Sequence, residues 1–168
     1  GATATFSAAT DADTITSAGT LNLNEVTKTD TLTITAGTTT ADLKTGVISI
    51  GGVDGSAMTA ITISDGATLK TTMASTETAS IDAVMEGAAA GVGDFTVTSA
   101  SGAAAGKVVL DGTYGANTVL GALQIGSATA GGHVTNEDGS TMAFTTVNLT
   151  AGEAANEKAL LDLNESLT

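Results

Sequence analysis

At 168 residues and 16.2 kDa the chain is long enough for one domain with a genuine core. Eighteen acidic residues against five Lys give a formal net charge of −13, which argues against nucleic acid and anionic membrane surfaces, since both are held by clustered cations. Cys is absent, which excludes disulfides and thiolate metal sites. No run approaches the roughly 18 apolar residues of a membrane span, so membrane insertion is not expected.

Aromatic residues make up only 2% of the chain, and Pro and Trp are missing. Thr is about as common as Ala, and its branched β-carbon fits a pleated surface better than a helical turn. The core must therefore be built from Leu, Ile, Val and Ala. Such a core is thin for the length, and burial against neighbouring molecules would help to stabilise it.

The chain opens with a short alternating segment in which Ala2, Ala4 and Phe6 share one face of an extended strand. A polar, acidic connection follows. Gly19 to Leu23 then restarts the alternation and reads as the first strand of a packed domain, with Leu21 and Leu23 on one side. Residues 1–16 are accordingly read as an extended strand and linker, and 17–168 as a single domain. Asn24 to Asp30 is turn-like, Thr31 to Thr35 is a half-buried strand, and Ala36 to Thr40 is a Gly/Thr turn. Further strands are expected over Lys44 to Ile50 and Ala57 to Ser64. Asp54-Gly55 and Asp65-Gly66 mark turns, and Ala67 to Thr72 is expected to return antiparallel.

Ser80 to Glu86 breaks the alternation, because Ile81, Val84 and Met85 stand at helical spacing. Strands resume at Phe95 to Thr98, Lys107 to Leu110, Asn117 to Ile125 and Met142 to Leu149. In the tail, Leu160, Leu163 and Leu167 follow helical spacing, while Leu161 and Leu163 also alternate about Asp162; a short helix is read slightly ahead of a strand. Nine or ten short strands with repeated turn signals point to an antiparallel β-sandwich, jelly-roll-like, with a short helix near 80–86 or at the C-terminus. The Asp-Gly dipeptides show no fixed period, which places a β-solenoid second.

No catalytic constellation is visible, and the chain is not expected to be an enzyme. His133, the only histidine, follows Gly131-Gly132 in an expected loop, and no G-x-S-x-G elbow occurs. Calcium is the cation the composition suits best, because its sites are made of several oxygen ligands from acidic loops. Asp11 with Asp13, and Asn136 with Glu137 and Asp138, are the two candidate ligand groups; neither matches an EF-hand loop. Asn148 and Asn164 begin glycosylation sequons.

Phe6-Ser7 is followed, after a polar spacer, by Ala18-Gly19-Thr20-Leu21-Asn22-Leu23. This pattern resembles the start of the mature camelysin/TasA-like biofilm-fibre proteins, which include archaeal bundling pili. The resemblance covers about one-seventh of the chain and implies a jelly-roll sandwich joined to its neighbours by donor-strand exchange. In that arrangement Ala2, Ala4 and Phe6 fill a groove of the next subunit, and Leu21 and Leu23 lie on the first strand of the acceptor domain. Phe6 would be the largest apolar anchor, contributing about 1.5–3 kcal/mol on transfer grounds. The null arrangement keeps residues 2 to 7 as an edge strand of their own domain.

The expected function is a structural subunit of an extracellular filament that polymerises with itself, secreted and stripped of a leader ahead of Gly1. A surface-layer lattice protein, or an adhesin or phage surface binding module, is the alternative.

Overall fold

The computed structural model describes residues 2–6, 10–23, 27–35, 37–43, 58–73, 78–81, 83–99, 106–137 and 139–164. Among these residues the chain is all β and forms a parallel β-solenoid rather than an antiparallel sandwich. The first sheet stacks β1 (Thr3–Phe6), β3 (Thr20–Leu23), β5 (Gly37–Leu43), β7 (Ala67–Met73), β10 (Asp94–Ser99), β13 (Leu120–Ile125) and β16 (Phe144–Leu149) in that order. The second stacks β2 (Thr10–Ser17), β4 (Thr27–Ile34), β6 (Met58–Ile63), β9 (Ala83–Gly87), β12 (Thr113–Tyr114) and β15 (Thr141–Met142). The third stacks β8 (Thr78–Ile81), β11 (Lys107–Leu110), β14 (Gly132–Asn136) and β17 (Ala159–Asp162).

From β7 onward the chain visits the first, third and second sheets in rotation. One coil runs β7, β8, β9 and the next β10, β11, β12. Each strand therefore pairs with the strand one coil earlier, and every strand ladder among the described residues is parallel. The antiparallel expectation fails here: Ala67–Met73 does not fold back on Met58–Ile63 but enters a different sheet, alongside β5 and β10. Asp65-Gly66 turns a corner of the coil, with Gly66 at φ 68°, instead of closing a hairpin.

In-register stacking sorts the residues into columns. In the first sheet Leu21, Thr39, Leu69, Phe95, Leu123 and Val147 follow one another coil by coil. In the second, Ile15, Leu32, Ile61, Met85, Tyr114 and Met142 form an unbroken apolar column, every member buried. In the third, Val108 and Val134 stack inside, followed by half-buried Leu161. These columns meet in one core, and the Tyr114 hydroxyl donates to the Ile81 carbonyl across it, joining the second sheet to the third.

The expected helix near 80–86 is replaced by the end of β8 and the whole of β9. Ile81 and Met85 are both buried but belong to different sheets, because the chain turns a corner between them. The tail departs from a helix in the same way: Ala159–Asp162 is a strand paired with β14, while residues 165–168 lie outside the described set. Segments read as turns also join the sheets. Thr27–Ile34 extends the strand expected from Thr31, and Gly37–Leu43 is β5. The strand expected over Lys44 to Ile50, and Asp54-Gly55, lie outside the described residues.

Two glycines are dictated by the stacking. Gly37 has φ 75°, and a β-carbon there would lie 2.5 Å from the Gly19 carbonyl oxygen of the coil below. Gly93 has φ 80°, and its β-carbon would lie 2.5 Å from the Ile63 carbonyl oxygen. Both combine a left-handed backbone with a coil-to-coil approach that leaves no room for a side chain.

Leu123, fully buried between Phe95 and Val147, is expected to cost about 2–5 kcal/mol when changed to Ala, because the stacked neighbours cannot collapse into the void. Gly93→Ala is expected to cost more than about 1 kcal/mol through the backbone alone. Urea unfolding followed by circular dichroism reads both; a midpoint unchanged by Leu123→Ala would contradict the column.

Candidate functional site: the two ends of the solenoid

A stack of parallel coils has no partner for its first and last strands. Among the described residues these are β1, β2 and β8 on the N-terminal side and β15, β16 and β17 on the C-terminal side. Edge strands carry backbone N–H and C=O groups directed away from the sheet, a template for a further strand. The two ends differ in shape and polarity.

At the N-terminal end the first and second sheets part around a cavity of about 300 Å3, lined by Ala2, Ala4, Ile15, Gly19 and Leu21 among others. Apolar atoms dominate the lining, to which Thr3, Thr16 and Thr20 also contribute. Ala4 is exposed there, while Ile15 and Leu21 form the floor and are buried.

At the C-terminal end the apolar residues protrude. Leu149 is 51% exposed, Leu163 43% and Leu160 39%, and these three account for all but one of the exposed large hydrophobic residues among those described. Phe144, Val147 and Leu161, on the same last strands, are half-buried against the core. The connection between β16 and β17 is tied down by Glu157, which is buried. Its carboxylate accepts from the Ala154 N–H at 3.0 Å and its backbone carbonyl from the Gly152 N–H at 2.8 Å.

The residues singled out from sequence fall into place as follows. Ala4 pairs with Leu21 and Phe6 with Leu23, so the expected donor and acceptor residues are lateral neighbours in one chain. That pairing makes Thr3–Phe6 an edge strand of its own sheet, Ser7 lying outside the described residues, and the sandwich groove that a donor strand would fill is not part of this fold. Asp11 and Asp13 lie within β2 rather than in a loop, and Asp11 is opposite Lys28.

Asn136 is buried, and its amide oxygen accepts from the Asn164 N–H at 2.9 Å. Asn164 Nδ2 in turn donates to the Asn136 backbone carbonyl at 2.7 Å. Glu137 is exposed, its backbone bonded to Leu110 and Ser140, and Asp138 lies outside the described residues. Among the described residues no group of three or more His, Asp or Glu side chains is placed to hold a metal ion. His133 Nε2 lies 2.7 Å from Asp162 Oδ2, linking β14 to the terminal strand β17.

No family model matches this chain, and neither curated proteins nor solved structures yield a match. Function must therefore be argued from the ends and faces of the solenoid itself. No helix among the described residues is long and apolar enough to cross a membrane.

Of the C-terminal patch, the sequence showed the leucine cluster but not its exposure. Helical spacing hid that Leu160 and Leu163 lie on and just beyond an edge strand. The N-terminal hollow has no local signal, because it is made by β1, β2 and β3, which belong to two different sheets.

The two sequons differ in availability. Asn148 is exposed on β16, whereas Asn164 uses its amide to close the last coil. Asn164→Ala is expected to lower stability by about 1 kcal/mol, since the backbone carbonyl of buried Asn136 loses the Asn164 Nδ2 donor while its side-chain oxygen keeps the backbone N–H of residue 164. Urea denaturation of that variant beside Asn148→Ala, which should be near neutral, checks the difference.

Proposed function

We propose that the chain is a structural subunit of an extracellular filament in which solenoids join head to tail. The observation that carries this reading is the complementarity of the ends: an apolar hollow at one and protruding leucines at the other. Because all strand ladders run parallel, translation along the axis brings β16 of one copy against β1 of the next with strand direction preserved. The columns then continue across the joint. The column that ends at Leu149 begins at Phe6, and the one that ends at Val147 begins at Ala4. Phe6 thus keeps an interface position, as part of an edge instead of a detached donor.

A joint of this kind is heterologous and does not close on itself, so it propagates as a fibre. Strand pairing across it supplies backbone hydrogen bonds, and burying the leucines removes apolar surface from water. The net charge of −13 opposes the approach of copies, and salt should relieve that opposition.

Purified protein is expected to form fibres whose length grows with concentration and whose onset shifts to lower concentration as salt is raised. Electron microscopy and light scattering read both. Replacing Leu149 and Leu160 together with Asp should leave a folded monomer, since neither side chain lies in the buried core. A monomer at high concentration and high salt from the unaltered chain would sink the proposal, and planar sheets in place of fibres would turn it toward a surface lattice.

A further inference from the structure

The sequon Asn148-Leu149-Thr150 carries chemistry that end-to-end joining does not use. An Asn two residues before a Thr is the acceptor pattern for a glycan, provided that its amide can be reached and the bulky product can be housed. Such patterns arise by chance in a Thr-rich chain, so the surroundings decide. They separate this sequon from the one at Asn164.

Asn148 lies on β16, the last strand of the first sheet among the described residues. Its neighbours Val147 and Leu149 continue the rows of buried Leu123 and Ile125, so Asn148 is turned to the outer side, beside Gln124. Asn148, Leu149 and Thr150 are all exposed. The Asn148 amide enters no hydrogen bond with the described residues. The Thr150 hydroxyl oxygen accepts from Gln124 Nε2 at 3.1 Å, which leaves its own O–H free to donate. Among the described strands β16 is hydrogen-bonded to β13 alone, so opening it to an enzyme breaks one ladder and not two.

The amide of Asn164 is placed in the opposite way. Its Nδ2 donates to the Asn136 carbonyl at 2.7 Å and to the Thr135 hydroxyl at 3.4 Å. Both acceptors belong to buried residues of β14. A sugar on that nitrogen would replace one of its two hydrogens and intrude where the chain after β17 closes on β14.

We propose that Asn148 is a site of N-glycosylation and that Asn164 of the folded chain is not. The donor is a lipid-linked oligosaccharide diphosphate. Asn148 Nδ2 bonds to the anomeric carbon as one of its N–H bonds breaks, and the proton passes to a base of the transferase. The bond from that carbon to the diphosphate oxygen is cleaved, and the diphosphate lipid leaves with the bonding pair. The proposal rests on the reading above for one thing, the extracellular route on which such donors are met. A glycan there projects from the side of the first sheet, away from the inward rows that the joint would continue.

The folded full chain, incubated with a purified oligosaccharyltransferase of plain Asn-x-Ser/Thr specificity and its lipid-linked donor, should gain the mass of one oligosaccharide. Peptide mapping should place it on Asn148. After prior cleavage by trypsin, which cuts beyond Lys158 and so parts the two sequons, Asn164 should be modified as well. Asn148→Gln and Thr150→Val should abolish the gain in the folded chain, and Thr150→Ser should keep it, with circular dichroism confirming that each variant is folded. A folded, unaltered chain that gains no mass would overturn the proposal, and so would one modified equally at Asn164. Fibres formed by a chain that accepts no glycan would overturn this site and leave the joint standing. A chain that takes a glycan at Asn148 but, without it, forms no fibres would uphold the site and sink the joint.

Discussion

Everything in this structure depends on the parallel, in-register stacking of each coil on the one before. A backbone hydrogen-bond ladder places residue upon residue, so one apolar position per strand becomes a continuous column through the molecule. This is how a chain with 2% aromatic residues forms a core. In the second sheet Ile15, Leu32, Ile61, Met85, Tyr114 and Met142 stand in register from coil to coil, all buried, and a run of modest side chains acts as one wall of the core. The same ladder explains the glycine pressure at Gly37 and Gly93, where one coil's carbonyl occupies the space a side chain would need.

Strand character was legible in the sequence, and strand direction was not. Alternation about Leu32, Ile61, Phe95 and Val97 marks half-buried strands, and these are strands with those residues buried. Alternation has the same form in parallel and antiparallel sheets, so the turn signals decided the expected fold, and Asp65-Gly66 at a coil corner looks like Asp-Gly in a hairpin. The repeat was hidden because its length varies. Thr3 pairs with Thr20 seventeen residues on, Gly37 with Ala67 thirty on, and Leu120 with Phe144 twenty-four on. A column needs equivalent positions to meet in space, but the corners between them are free to differ, and a search for one sequence period finds none.

The missed helix has its own cause. Ile81 and Met85 stand four residues apart, a separation that a helix and a period of two share, and Val84 beside Met85 completes a helical pattern although it is only half-buried. Within β9 alone, Ala83, Met85 and Gly87 are buried while Val84 and Glu86 are half-buried, which is a plain period of two. At the tail, the pairing of His133 with Leu160 and Val134 with Leu161 decides for a strand what the leucine spacing left open. The candidate sites fared similarly. Asp11 and Asp13 read as linker residues because a polar run lacks the apolar alternation by which strands are recognised, yet their backbone is in the ladder.

Stacking also separates the surfaces by kind. Side faces are made by outward residues of many coils, so their chemistry is repeated and spread. Ends are made by single coils, so their chemistry is local: a hollow over Ile15 and Leu21 at one, Leu149, Leu160 and Leu163 at the other. The register that runs from Phe6 to Leu149 has no internal reason to stop at either, since a further coil would meet the same backbone ladder. The ends are therefore places where the rule that builds the interior is left unsatisfied, and that is the physical basis of the head-to-tail joint proposed above.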